Sequence, residues 1–196
     1  LHIIFNKFKL RHICVFSMQK FMKLKKNIVL LGMMGSGKTT IGELLSKKIN
    51  TQFIDIDKKI EEIEQLKIEQ IFAIKGEDYF RKIEHDISQS YLKKNETFKV
   101  ISLGGGAFLN KKLRQAVKDN SFSFWLDWQS ATLIKRLKKN SKRPLIKGLN
   151  ENQIKKMLIE RNKFYAKGDY KINCENHKKN EIVDKIVIVL KNENKY

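Results

Sequence analysis

Short apolar runs alternate with longer amphipathic segments from residue 26 almost to the end of the chain. The apolar runs predict buried strands at residues 28–31, 53–57, 98–103, 122–126 and 170–174. The amphipathic segments predict helices at residues 38–49, 58–94, 110–119, 130–139, 152–166 and 181–191, the second broken near Gly76. Strands that alternate with helices predict an α/β domain, in which helices cover both faces of a five-stranded parallel sheet.

The first 22 residues precede this pattern and mix Phe, Ile, Lys and Arg without a clear period. We therefore expect residues 1–22 to form a poorly ordered extension and residues 23–196 to form one domain. Near the other end, residues 141–150 contain the only proline and predict a loop.

The composition narrows the possible partners and compartments. The chain has 41 Lys and Arg residues against 21 Asp and Glu residues, a formal net charge of +20, which favours anionic ligands. Its two cysteines and four histidines are widely scattered, which argues against a disulfide framework or a clustered metal site and is typical of the cytoplasm. No apolar run approaches the length of a membrane span, so we expect no membrane association.

Residues 32–39 read GMMGSGKT and match the phosphate-loop pattern GxxxxGK[ST]. The glycines let successive backbone N–H groups turn toward one anion, and the helix that follows directs its positive end to the same place. Lys38 can reach the β- and γ-phosphates, and the Thr39 hydroxyl group can bind Mg²⁺. The predicted nucleotide contacts are Gly35, Ser36, Gly37, Lys38, Thr39 and Thr40.

Three further features indicate an acceptor site. Asp55 and Asp57 alternate in FIDID, so we predict that both lie on one face at the carboxyl end of a strand, where ligands bind in open α/β sheets. Arg81 and Glu84 are three residues apart on a predicted helix, so the carboxylate can orient the guanidinium group or form an ordinary surface pair. Residues 104–106 are three consecutive glycines that follow a strand and allow a ligand to approach the backbone.

Taken together, these motifs resemble those of the shikimate kinases. In addition to the phosphate loop, FIDID and the glycine run, the chain has GEDYFRKIE at residues 76–84, RPL at residues 143–145 and ERNKFY at residues 160–165. These segments follow one another in the order of that family, and the resemblance covers residues 26–190.

The resemblance implies a fold and an activity. The fold is that of the nucleoside monophosphate kinases, with three layers, strand order 2-3-1-4-5 and a mobile lid at about residues 139–151. The activity is transfer of the γ-phosphoryl group of ATP to the 3-hydroxyl group of shikimate with Mg²⁺ as cofactor, a step in aromatic amino acid biosynthesis. The family also implies a monomer.

The resemblance further assigns roles on the acceptor side. Arg81 and Arg161 would hold the carboxylate of shikimate, a task that suits the planar guanidinium group. Asp57 would orient the attacking hydroxyl group and is a candidate base. The backbone N–H groups of the glycine run would contact the same substrate. The implied substrate-binding residues are Asp57, Arg81, Gly104, Gly105, Gly106 and Arg161.

On the nucleotide side, Arg136 matches the position that stacks on adenine, and Arg143 in the lid would close on the transferred phosphoryl group. Thr39 and Asp55 would hold Mg²⁺. The predicted catalytic residues are Lys38, Asp57 and Arg143. The family often has a proline after its fifth strand, but residues 173–180 contain none. The sequence therefore does not identify the residue that forms the second side of the adenine pocket.

Several other features of the sequence resemble functional motifs or are aromatic or basic. Asp127 resembles a Walker B aspartate, but we assign it to a strand end or a helix cap. The aromatic residues at 122, 124, 125 and 128 are expected in the core or at its margin. The basic stretch at residues 135–147 has no aromatic residue for base stacking, so we predict no nucleic-acid binding. The alternatives are another small-molecule kinase of this fold, such as a gluconate kinase, and a non-catalytic nucleotide-dependent switch.

Overall fold

A five-stranded parallel sheet forms the centre of the molecule. The computed structural model describes residues 26–93, 97–139, 146 and 148–193. Within them the strands are β1 (Asn27–Leu31), β2 (Gln52–Asp55), β3 (Lys99–Ser102), β4 (Ser121–Asp127) and β5 (Tyr170–Asn173). They pair in the order β2-β3-β1-β4-β5, and every pairing is parallel, which confirms the predicted sheet.

Helices connect consecutive strands or follow the last one. In the part of the chain that the structure describes they are α1 (Lys38–Ile49), α2 (Ile56–Glu64), α3 (Ile68–Leu92), α4 (Lys111–Asn120), α5 (Ser130–Lys139), α6 (Glu151–Tyr165) and α7 (Lys179–Glu193). A short 3₁₀ helix, Ala107–Leu109, follows the glycine run and was not predicted.

The central strand β1 is buried on both faces and divides the core in two. Ile28 and Leu30 pack with apolar residues of α1 and α7, whereas Val29 and Leu31 pack with those of α2 to α6. This alternation follows from the two-residue period of a strand. The result is the predicted three-layer α/β arrangement, with the carboxyl ends of β1, β2 and β3 at one edge.

The predicted strand at residues 53–57 is too long by two residues. Strand β2 ends at Asp55, because the Asp55 side chain accepts a hydrogen bond from the backbone N–H of Lys58 at 3.4 Å and caps α2. Asp57 therefore lies in the first turn of α2. The prediction that Asp55 and Asp57 share one face of a strand was wrong.

The predicted helix at residues 58–94 is interrupted twice. Gln65, with φ of 53°, ends α2 and begins a turn that the sequence pattern did not predict. Gly76 has φ of 81° and ψ of 172°, which places a kink inside α3 and confirms the break expected there. The kink separates the amino-terminal turns of α3 from the part that carries Arg81 and Glu84.

Several predictions fall wholly or mainly on residues outside the described ranges. These are the extension at residues 1–22, Arg143, and most of the lid at residues 139–151. Among the helices that the structure describes, none has both the length and the apolar character required to cross a membrane.

Candidate active site

The phosphate loop connects β1 to α1 and is shaped by left-handed backbone conformations. Gly35 has φ of 79° and Gly37 has φ of 88°, and a Cβ atom at Gly37 would meet no neighbour within 4 Å. At Gly37 the positive φ, rather than lack of space, therefore favours glycine. No side chain of the described residues caps α1, and its first turn contains no acidic residue. The amino terminus of α1 is thus suited to an anion.

Lys38 folds back over the loop that precedes it. Its Nζ atom donates to the carbonyl oxygens of Gly32 at 2.8 Å and Met33 at 3.1 Å, and the residue is almost fully buried. The ammonium group therefore lies against the inside of the phosphate loop, as the motif predicts.

Thr39 and Asp55 meet at the carboxyl end of β2. The Thr39 hydroxyl group donates to Asp55 Oδ2 at 2.6 Å, and Asp55 is buried. A hydroxyl oxygen and a carboxylate oxygen are donors that suit Mg²⁺, which commonly binds one or two protein groups and completes its shell with water and phosphate. Among the described residues, no group of three or more His, Cys, Asp or Glu side chains is arranged to hold a metal ion.

Asp127 lies at the end of β4, where it forms an ion pair with Lys171 at 3.1 Å. This agrees with the prediction that Asp127 belongs to a strand end. The ion pair gives the carboxylate a structural partner on the neighbouring strand β5.

The glycine run after β3 packs directly against charged side chains. A Cβ atom at Gly104 would collide with Glu84 Oε1 and would lie 2.9 Å from Asp57 Oδ1. A Cβ atom at Gly106 would lie 2.6 Å from Arg81 Nη1. A side chain at Gly104 or Gly106 would displace these charged groups, so glycine lets them lie directly against the backbone. Asp57 thus reaches the predicted site from α2, although it is not on a strand.

Arg81 is held by two carboxylates of its own helix. Its Nη1 atom donates to Glu84 Oε2 at 2.7 Å, while Nε and Nη2 donate to Glu77 Oε1 at 3.1 and 3.0 Å. The Glu84 side chain is only 3% exposed, so this is not a surface pair. Burial raises the pKa of Glu84 to about 7, and the positive charge of Arg81 counteracts part of that increase.

Arg161 approaches the same glycine run from α6. It is 7% exposed, and its Nη1 atom lies 3.5 Å from Gly105 O and 3.4 Å from Met33 Sδ. The Tyr165 hydroxyl group also donates to Gly105 O. Burial raises the pKa of Tyr165 to about 12, so this hydroxyl group stays protonated. Two guanidinium groups, from α3 and α6, therefore meet at residues 104–106.

A separate cleft of about 830 Å³ opens beside the phosphate loop. Gly37 and Thr40 line it on the loop side, and Arg136 and residues 177–180 contribute cationic and polar side chains. Arg136 Nη1 donates to Gly35 O at 3.3 Å, which places the predicted adenine-stacking residue next to the loop. Residues 177–180, in the segment without a proline, also line this cleft.

Two residues matter more at the site than their sequence positions indicated. The sequence indicates Glu84 only as a partner of Arg81, but Glu84 is buried and lies against Gly104, which Asp57 also approaches. The sequence predicts Trp128 in the core or at its margin, but this half-buried residue also lines the cleft, and its indole N–H donates to Ser36 O at 2.9 Å. Its position directly after β4, at the ligand-binding edge of the sheet, was the available signal.

Comparison with known proteins agrees with the resemblance carried by the sequence motifs. The family model described as "Shikimate kinase" matches residues 34–191. A shikimate kinase of Sulfurihydrogenibium sp. (strain YO3AOP1) is 40% identical over 166 residues, which is 85% of this chain and 98% of that protein.

Comparison with solved structures leads to the same family. The shikimate kinase from Acinetobacter baumannii in complex with shikimate has a TM-score of 0.82 and 28% identity, covering 89% of this chain and 97% of its own. The shikimate kinase from Aquifex aeolicus has a TM-score of 0.76 and 36% identity, covering 85% and 97%. A gluconokinase from Sinorhizobium meliloti shares only the fold, with a TM-score of 0.53 and 16% identity, over 87% and 94%.

Proposed function

The chain belongs to the shikimate kinase family, and we propose that it transfers the γ-phosphoryl group of ATP to the 3-hydroxyl group of shikimate through the residues described above. The products are shikimate 3-phosphate and ADP. The enzyme is therefore an ATP-using transferase of aromatic amino acid biosynthesis.

The observation that carries this proposal is that Met33 contacts both Lys38 of the phosphate loop and Arg161. The Met33 carbonyl oxygen accepts from Lys38 Nζ at 3.1 Å, and Met33 Sδ lies 3.4 Å from Arg161 Nη1. A phosphate bound by the loop and a carboxylate bound by Arg161 would thus lie on either side of one residue. Phosphoryl transfer depends mainly on such positioning and on charge neutralisation.

On the acceptor side, Arg81 and Arg161 would bind the carboxylate of shikimate. The support is that both guanidinium groups border residues 104–106. Gly104, Gly105 and Gly106 would contact the substrate through the backbone. Asp57 would accept a hydrogen bond from the 3-hydroxyl group and orient it for attack, because its carboxylate lies at the same glycine run.

On the nucleotide side, residues 35–40 would bind the phosphates, with Lys38 neutralising charge at the β- and γ-phosphates. Arg136 would stack on adenine in the cleft beside the loop. Arg143, which lies outside the described residues, would add a second cation near the transferred group.

Thr39 and Asp55 would hold Mg²⁺, because their oxygens are 2.6 Å apart at the end of β2 and suit this ion. When bound, Mg²⁺ neutralises phosphate charge. Asp55 would bind it directly or through water, and its hydrogen bond to Thr39 would keep both groups oriented.

We also propose that the protein acts as a cytoplasmic monomer that binds neither nucleic acid nor membranes. Large exposed apolar side chains in the described part of the chain occur on five different elements, at Ile63, Ile74, Leu109, Ile159 and Ile188. Within the described ranges no helix carries more than one of them, which supports the monomer.

ADP release, measured in a coupled assay with and without shikimate, tests the proposal, and gluconate serves as the alternative acceptor. We expect release that depends on shikimate and Mg²⁺ and is absent with gluconate. Lys38→Ala should abolish it while circular dichroism remains that of the wild type. Gluconate-dependent or acceptor-independent release would contradict the proposal and favour a gluconate kinase or a nucleotide-dependent switch, respectively.

A further inference from the structure

Trp128 is hydrogen-bonded to the phosphate loop. It follows β4 directly, and its indole N–H donates to the carbonyl oxygen of Ser36 at 2.9 Å. Nothing in the phosphate-loop motif requires an aromatic residue at this position. The hydrogen bond fixes the plane of the indole ring relative to the loop that would bind the phosphates.

Arg136 lies on the ring of Trp128. Its guanidinium carbon is 3.7 Å from the ring centroid, compared with 4.6–5.9 Å for the other cation–ring pairs among the described residues. Arg136 Nη1 also donates to Gly35 O at 3.3 Å. The guanidinium group is thus held both by stacking and by a hydrogen bond, on the wall of the cleft next to the phosphate loop.

The loop that leads into the other lining residues, 177–180, contacts the helix that carries Arg136. The Glu175 carboxylate, in the loop between β5 and α7, accepts from the backbone N–H of Gln129 at 3.2 Å and from the Thr132 hydroxyl group at 2.7 Å. These contacts hold the loop that leads into residues 177–180 against the start of α5. Two groups of residues that line the cleft are therefore connected by contacts close to Trp128 in the chain.

We propose that Trp128 is a positioning residue for the purine base of the nucleotide, acting through Arg136. A free arginine side chain loses rotamer entropy when it becomes ordered. Stacking on Trp128 orders the guanidinium group before the nucleotide arrives, so its face is ready to cover the base. This inference rests on the proposed use of ATP and adds to it a residue that determines affinity for the base rather than for the phosphates.

Steady-state kinetics of two variants test the proposal. Trp128→Leu removes both the stacking and the N–H group, and we expect the KM for ATP to rise roughly two- to thirty-fold. The KM for shikimate and the inhibition constant of inorganic tripolyphosphate, which lacks the base, should stay within about two-fold of wild type. Trp128→Phe keeps a ring under Arg136 and loses only the N–H group, so its KM for ATP should rise less.

The other tryptophan supplies a control and a second readout. Trp125 is buried in the core next to Tyr165, and Trp125→Phe should leave the KM for ATP unchanged. Since the chain has two tryptophans, this variant leaves Trp128 as the only indole fluorophore. We expect ADP to change its emission in Trp125→Phe and to leave the emission of Trp128→Phe unchanged.

Several results would overturn the inference. The KM for ATP could be unchanged in Trp128→Leu, or it could rise equally in Trp128→Leu and Trp128→Phe. Trp128→Leu could also lose affinity for ATP, tripolyphosphate and shikimate in parallel, or the emission of Trp128 could fail to respond to ADP. Each of them can occur while the wild-type enzyme phosphorylates shikimate. A wild-type enzyme without that activity would instead contradict the proposed function.

Discussion

Arg81 donates from Nη1 to the buried carboxylate of Glu84 at 2.7 Å, and together they border the glycine run. An exposed ion pair at this spacing would contribute only about a few tenths of a kcal/mol to stability. Here the buried partner fixes the direction of the guanidinium group toward residues 104–106.

The first prediction concerns the planar geometry of Arg81. Arg81→Lys keeps the charge but loses the paired N–H groups, so the KM for shikimate should rise about ten- to a hundred-fold, corresponding to roughly 1.5–3 kcal/mol. The KM for ATP should change little. Both constants are measured in the ADP-release assay.

The matched control for Arg81 is Glu77→Gln, which removes only the exposed partner. We expect its effect on the KM for shikimate to stay within about two-fold, because exposed pairs contribute little. If Arg81→Lys and Glu77→Gln had the same small effect, the carboxylate-binding role of Arg81 would be lost.

The second prediction concerns pH. The pKa of Glu84 is about 7 in the folded protein, compared with an ordinary value of 4.5. Between these values the folded state binds more protons than the unfolded state, so this contribution to the free energy of unfolding falls as pH rises from 4.5 to about 7.

Glu84→Gln cannot titrate and should lack this contribution. The Tm of the wild type minus that of Glu84→Gln should therefore decrease across this range in thermal melts. A difference that stays constant, or that increases with pH, would show that Glu84 remains ionised throughout.

The third prediction separates the two aspartates at strand ends. Asp55→Asn should lower kcat and raise the Mg²⁺ concentration required for half-maximal activity, because Asp55 is paired with Thr39 beside the phosphate loop. Asp127→Asn should stay within about three-fold of wild type, since Asp127 pairs with Lys171 on the sheet and such partly exposed pairs contribute little. A Mg²⁺ titration of both variants checks the order, and the reverse order would identify Asp127 as the metal ligand.

The fourth prediction concerns the first residues of the chain. Removal of residues 1–21 should leave kcat and Tm almost unchanged, because β1 begins at Asn27 and the family match begins at residue 34. Comparison of the shortened and full chains by kinetics and thermal melting is sufficient. A large drop in Tm would mean that this segment packs on the domain.

Much of the fold could be predicted because strand and helix periods differ clearly in this chain. The central strand is apolar from Ile28 to Leu31, and its burial on both faces follows from that run. Element ends were less predictable. FIDID has a strand pattern through Asp57, but the capping of α2 by Asp55 ends the strand earlier, and local capping overrides the two-residue period.

The site could be predicted where a sequence motif by itself determines the positions of its side chains. Lys38 and Thr39 are positioned by the loop and helix that carry them, so their spacing in sequence is sufficient. Glu84 and Trp128 are different, because burial against Gly104 and contact with Ser36 arise only when distant segments pack. Sequence periodicity contains no information on such contacts.

The measurement that tests the central claim most directly is a two-dimensional ¹H–³¹P correlation spectrum of the product formed from ATP, Mg²⁺ and shikimate. The proposed function predicts one new phosphate monoester signal, coupled to the proton on carbon 3 of the shikimate ring, which appears with the wild type and not with Lys38→Ala. A phosphate coupled to the proton on carbon 4 or 5, or the formation of inorganic phosphate alone, would contradict transfer to the 3-hydroxyl group.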